Sequence, residues 1–186
     1  MESRYGLAGC LSAQGCYLEA IEVRRVELAW CKQQNGDTDP STLTSAHYLA
    51  IDLREASKLE EAEVLFREVL SAREKVLDPE DFKIGQTLVE LAKTLEQGGK
   101  WEQALEFLQQ AFQHHQRHQG PEAWWTNRIR LNLAIIYLKL GESSAALSLL
   151  DQLQKSMKDI SRPDDLDTEP MEEAEALKND IESSII

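Results

Sequence analysis

Apolar side chains recur along this chain at helical spacing, and the helical pattern itself returns every 42 residues. Leu-Ala pairs stand at Leu7-Ala8, Leu49-Ala50, Leu91-Ala92 and Leu133-Ala134, and a second alanine column, Ala20, Ala62, Ala104 and Ala146, keeps the same interval. When the second alanine is numbered position 20, Gly15, Ser57, Gly99 and Gly141 all fall at position 15, between two helical stretches. A residue free to take an unusual backbone angle there predicts a hairpin turn, with a second helix starting at once from Tyr17, Leu59 or Trp101. Asp39-Pro40, Asp78-Pro79 and Gly120-Pro121 each predict a helix start at or near the proline, twice behind an aspartate that can cap. Helices of roughly 16 to 19 residues with short turns account for the period.

Within the first helix of each hairpin, positions 4, 7, 8 and 11 share a face. They hold Ala46/Leu49/Ala50/Leu53, Leu88/Leu91/Ala92/Leu95 and Arg130/Leu133/Ala134/Tyr137, the predicted inner packing face. Alanine at positions 8 and 20 lets two helices approach to about 8 Å. The helix over 129–140 is different, being apolar around nearly its whole circumference, which predicts burial beyond its own hairpin. Met171, Ala174, Leu177 and Ile181 form an apolar stripe on an acidic tail that could supply the cover. Trp124 and Trp125 are expected either to staple repeats three and four together or to form an interface.

Composition narrows the function classes. The net charge is −13, and residues 156–186 hold ten acids and three bases, so no basic stripe for nucleic acid is present. No apolar run is long enough to cross a bilayer and no signal segment opens the chain, so a cytoplasmic location without membrane insertion is expected. Cys10, Cys16 and Cys31 fall within one repeat and read as small thiols rather than a disulfide framework. His114, His115 and His118 lack a carboxylate or cysteine to complete a metal set. There is no nucleophile elbow and no phosphate-cradling loop, and the expectation is a non-catalytic protein without cofactor or metal.

The repeats resemble the tetratricopeptide repeat family, in the 42-residue variety of kinesin light chains and of arrays attached to NB-ARC-type switch ATPases. The resemblance is carried by SKLEEAEVLFREVLSAREKVL from Ser57, GGKWEQALEFLQQAFQ from Gly98 and LNLAIIYLKLGESSAALSLL from Leu131. Repeat one departs from the pattern, with Glu27 where the family favours alanine and with Gly6 and Gly9 inside its first helix. The resemblance, which covers about residues 1–158, implies an all-α, right-handed superhelical solenoid of four hairpins (repeats at about 1–38, 39–78, 79–120 and 121–158); the composition of the remainder predicts an acidic linker at 159–170 and a C-terminal capping helix within 171–186.

The resemblance also implies a concave groove lined by the outer face of each first helix. On this chain the implied contacts are His47, Tyr48, Ile51 and Arg54; Gln86, Glu90 and Lys93; and Arg128, Asn132 and Ile135. The Lys, Arg and Asn set with which chaperone-docking members hold a terminal carboxylate is missing: the corresponding positions read Tyr5, Gly9, Tyr48, Gln86 and Glu90. Of the asparagines that line kinesin-light-chain grooves, Asn132 alone matches. The expected function is a scaffold or adaptor that binds a peptide segment or partner helix. The alternatives are a regulatory array of a switch ATPase or protease system, and a homodimer formed through repeat four.

Overall fold

The computed structural model describes residues 2–120, 123–159 and 169–185. Every regular element among them is helical: α1 (Glu2–Ala13), α2 (Tyr17–Asn35), α3 (Pro40–Glu55), α4 (Leu59–Val76), α5 (Phe82–Gln97), α6 (Trp101–Gln119), α7 (Trp124–Lys139), α8 (Ser143–Asp159) and α9 (Glu169–Ile185). Both alanine columns are fully buried, with Ala8, Ala20, Ala50, Ala62, Ala92, Ala104, Ala134 and Ala146 all at 0% exposure. A methyl group is all that fits at these sites.

The position-15 turns have one geometry. Gly15, Ser57, Gly99 and Gly141 take φ of 76°, 60°, 72° and 80°, in the left-handed region. The next N–H then reaches back five residues, Cys16 to the Leu11 carbonyl at 2.9 Å, Lys58 to Leu53 at 2.8 Å and Glu142 to Tyr137 at 2.8 Å. This Schellman closure satisfies a helix-end carbonyl and turns the chain directly into the following helix. Ser57 does it with a Cβ, which costs about 1 kcal/mol relative to glycine. Ser57→Gly is therefore expected to stabilise the chain by about 1 kcal/mol in urea unfolding, and Gly141→Ala to destabilise it by about as much.

Helix starts follow the expected chemistry at one of the two described prolines between repeats. Asp39 caps α3, its carboxylate accepting the Ser41 N–H at 2.8 Å, with Pro40 at the first position. At the next junction the cap is Asp81, which accepts from Lys83 N–H at 2.8 Å. Asp78 instead accepts from Glu80 N–H at 2.9 Å and shapes the turn ahead of the helix, so Pro79 precedes α5 rather than opening it. α7 begins at Trp124, with Ala123 in the capping position and no side-chain cap; Pro121 lies outside the described residues.

The chain divides into two compact units, residues 1–99 and 100–186. In the first, α1 to α5 pack in chain order around Ile21, Leu53, Phe66, Val69, Leu91 and Leu95. In the second, α6 packs on α7 and α7 on α8, while α9 lies on α8 and also touches α7. Leu131, Ala134, Ala146, Leu150 and Leu153 form one cluster with Ala174 and Ile181 of α9, and Ile135, Leu138 and Leu177 close over it. The all-round apolar character of α7 is thus explained, since α9 supplies the cover. Met171 of the expected stripe has a side chain outside the described residues.

Trp124 and Trp125 meet edge to face, with centroids 4.7 Å apart, and Trp125 stacks on His115 of α6 at 6.4 Å. The pair ties α6 to α7, the second helix of repeat three to the first helix of repeat four. The His118 side chain lies outside the described residues. No helix of the described residues is long and apolar enough to cross a membrane.

Candidate protein-recognition surface

In the first unit, α3 and α5 lie beside one another and carry seven of the implied groove residues. Tyr48 is the most prominent, 45% exposed although its backbone is in mid-helix. Its ring is held from one side by the Arg24 guanidinium, 5.0 Å from the centroid. Arg24 is in turn paired with Asp52 inside the protein, where Asp52 also accepts a hydrogen bond from Ser12 at 2.7 Å. A cation held by a buried carboxylate and placed against an aromatic face fixes the ring at low entropic cost on binding.

His47 lies beneath, nearly buried, with its ring edge to face with Tyr48 at 5.8 Å and with Phe66 of α4 at 5.5 Å. Burial pushes its pKa down to about 4, reinforced by Arg73 and Arg54 and opposed by Glu90. The imidazole is therefore a neutral wedge supporting Tyr48. In the unfolded chain the same imidazole titrates near 6.5. Its contribution to stability is complete above that pH and is lost as pH falls toward 4, because protons bind the unfolded state first. The wild type is expected to lose about 2–3 kcal/mol more than His47→Gln between pH 7 and pH 4, as read by denaturant titrations across that range.

Arg54, Glu90 and Lys93 form a linked ion network. Arg54 of α3 pairs with Glu90 of α5 and with Glu55 at 2.7 Å, and Lys93 reaches Glu90 at 3.1 Å. Burial alone would raise the Glu90 carboxyl, but Arg54 and Lys93 hold it below the usual range. For Arg54, burial is likewise outweighed, and the two carboxylates raise its pKa. The network therefore stays ionised and joins neighbouring first helices, leaving a partly exposed Lys93 ammonium facing outward. Ile51 of α3 and Gln86 of α5 are half-buried.

In the second unit, the three implied residues of α7 differ from one another. Ile135 packs into the cluster under α9, and Arg128 lies 3.8 Å from Glu173 of α9. Asn132 stands between them with its side-chain amide nitrogen buried and unpartnered. A buried donor left without an acceptor costs about 1–3 kcal/mol.

Arg24, Asp52 and Ser12 are absent from the sequence-derived set, although they position its best-exposed member. A signal for Arg24 was present, since it shares a helix face with Ile21, Leu28 and Cys31, all of them buried. A charge on an apolar stripe asks for a buried partner.

Comparison with known proteins is consistent with these repeats. The tetratricopeptide repeat family matches over residues 1–75 and 83–159. The chain belongs to that family. Among solved structures, its fold is similar to kinesin-light-chain-like TPR repeats from Podosopora anserina, at 21% identity and a TM-score of 0.81, over 99% of this chain and 90% of that one. It is also similar to BtubC (BKLC) from P. vanneervenii, at 17% identity and a TM-score of 0.78, over 99% and 80% of the two chains. A third similarity is to the type III secretion translocator chaperone SycD of Yersinia enterocolitica, at 18% identity and a TM-score of 0.61, over 79% and 96%. No curated protein matches. The all-helical TPR solenoid class is thereby established.

Proposed function

We propose that this TPR protein is a non-catalytic cytoplasmic adaptor that holds an extended peptide segment of a partner protein along the exposed faces of its first helices. The observation that carries the proposal is the clamped, exposed ring of Tyr48 on α3, with the partly exposed Lys93 and Gln86 on the adjacent α5. An aromatic anchor supported from below and flanked by adaptable polar groups is the usual composition of a protein-recognition hot spot. Asn132 is the implied polar contact of the second unit, on a half-buried position of α7. The partner's binding segment is expected to be basic or neutral, because a chain of net charge −13 repels acidic ligands and steers cationic ones.

The cover provided by α9 weighs against a homodimer through repeat four, since Leu131, Ile135 and Leu138 already have an apolar partner in the same chain. A regulatory array within a switch ATPase or protease system would use the same recognition chemistry, and no observation favours it over an adaptor.

The test begins with peptides selected from a random library on the intact chain. Tyr48→Ala combined with Asn132→Ala is expected to weaken the selected peptides by about 1–3 kcal/mol, with unchanged helicity by circular dichroism. Equal affinity of the wild type and the double variant would move recognition away from these helices.

A further inference from the structure

One edge of the first unit carries three large apolar side chains in solvent: Leu7 of α1 is 50% exposed, and Leu18 and Val26 of α2 are 60% and 58% exposed. The 42-residue frame identifies the edge. In the second repeat the same positions are Leu49, Glu60 and Glu68, which line an open groove of about 500 Å³ beside α2. Arg25 of α2 stands in that groove and pairs with Glu61 at 2.8 Å. The edge at Leu7, Leu18 and Val26 thus corresponds to the surface of the second repeat beside which α2 lies.

Two further features set it apart from its counterparts. Positions 18 and 26 are polar in every later repeat, as Glu60/Glu68, Glu102/Gln110 and Ser144/Gln152, and apolar as Leu18/Val26 in the first alone. The positions through which α3 receives Arg24 of α2 are Tyr48 and Asp52, and their counterparts on α1 are Gly6 and Cys10, both exposed. A Cβ added at Gly6 would meet no atom within 4 Å, so a helix can approach α1 closely.

We propose that this edge docks an amphipathic helix of a partner protein, lying as α2 lies against α3 and α4, with a cationic side chain that pairs with Glu19. Glu19 is the counterpart of Glu61, and with Glu22 it gives the apolar patch an exposed acidic border. The site selects for a helix with small or apolar residues on one stripe and Arg or Lys beside it. A second copy of this chain is a poor occupant through α9, whose exposed face presents Glu172 and Glu175 to the same acidic border.

The chain's own α2 supplies a probe, since it carries Arg25 and already makes the corresponding contact with the second repeat. A hydrocarbon-stapled, fluorescein-labelled peptide of residues 16–36 is titrated by anisotropy against the full chain. Saturable binding is expected, weakened by about tenfold or more in Leu18→Glu/Val26→Glu and unchanged in Val64→Glu on the other groove. Glu19→Lys is expected to weaken it as well, with recovery when the peptide carries Arg25→Glu. These positions are exposed, so circular dichroism and melting should match the wild type. No saturable binding, or equal binding to Leu18→Glu/Val26→Glu, would overturn the proposal. So would a wild-type dimer in sedimentation that this double variant converts to monomer, because the edge would then belong to a second copy.

Discussion

Asp52→Ala is expected to destabilise the chain by about 3–5 kcal/mol, a large share of the stability of a domain this size. Asp52 is 2% exposed and Arg24 is 5% exposed, and they neutralise one another inside the first unit. Removing the carboxylate leaves a guanidinium with its desolvation cost and only the Tyr48 ring as compensation. Ser12 also loses its acceptor. Replacing both charged partners, Asp52→Leu with Arg24→Met, is expected to recover most of the loss, since an apolar pair of similar volume often does as well as a buried ion pair. Urea unfolding of the wild type, Asp52→Leu, Arg24→Met and the double variant measures this as a coupling energy. An Asp52→Ala variant within 0.5 kcal/mol of wild type, taken as the ordinary range for surface changes, would show that the pair is not buried.

Truncation after Asp159 is expected to produce the second large effect. Without α9, the cluster loses Ala174, Leu177 and Ile181, and Leu131, Ile135 and Leu138 meet water. The transfer cost of such side chains, reduced by the entropy regained by the tail, amounts to roughly 2–4 kcal/mol. Lys178, which bonds Asp151 and Gln154 of α8, is lost as well and adds little at a surface. The newly bare stripe should drive association at micromolar concentration, seen as a rise in scattering mass with a lowered melting temperature. Ile181→Glu in the intact chain should reproduce the lowered melting temperature. A truncated chain that stays monomeric and melts with the wild type would contradict the packing described for α9.

Much of the fold was legible because steric demands repeat. Two alanine columns, and glycine at position 15 in three repeats with Ser57 in the other, each reflect one hard constraint, a close crossing or a left-handed angle, and hard constraints restrict the residue every 42 positions. Helix starts are softer. Asp78 and Asp81 are both competent caps, and sequence alone favours the one before a proline, whereas the structure uses Asp81 for α5 and Asp78 for the turn ahead of it.

The α9 helix was visible as an apolar stripe, but its place in the frame was not. Ala176 continues the column of Ala8, Ala50, Ala92 and Ala134 at the same spacing, yet it is exposed, as are Glu172, Glu175 and Asn179 around it. The face that buries a hairpin partner in earlier repeats is polar here, and α9 buries Ala174 and Ile181 instead.

The surface was less legible for a related reason. Position 5 of the first helix belongs to the implied groove, but His47, Val89 and Leu131 at that position are all buried. Tyr48, one position on, reaches solvent instead. Neither the Arg24–Asp52 pair beneath Tyr48 nor the Arg54–Glu90 link between α3 and α5 has a local sequence signature, because each joins residues more than 25 positions apart. The structure brings them together only when the repeats stack.

Chemical-shift mapping tests the recognition reading most directly. A library-selected peptide is titrated into the isotope-labelled full chain, and amide shifts are followed residue by residue. The expected result is a set of perturbations on the first helices, strongest at Tyr48, Ile51, Gln86 and Lys93 in the first unit, with Asn132 perturbed in the second. Perturbations confined to the second helices, at residues such as Val64 and Glu68, with Tyr48 and Asn132 unmoved, would contradict it.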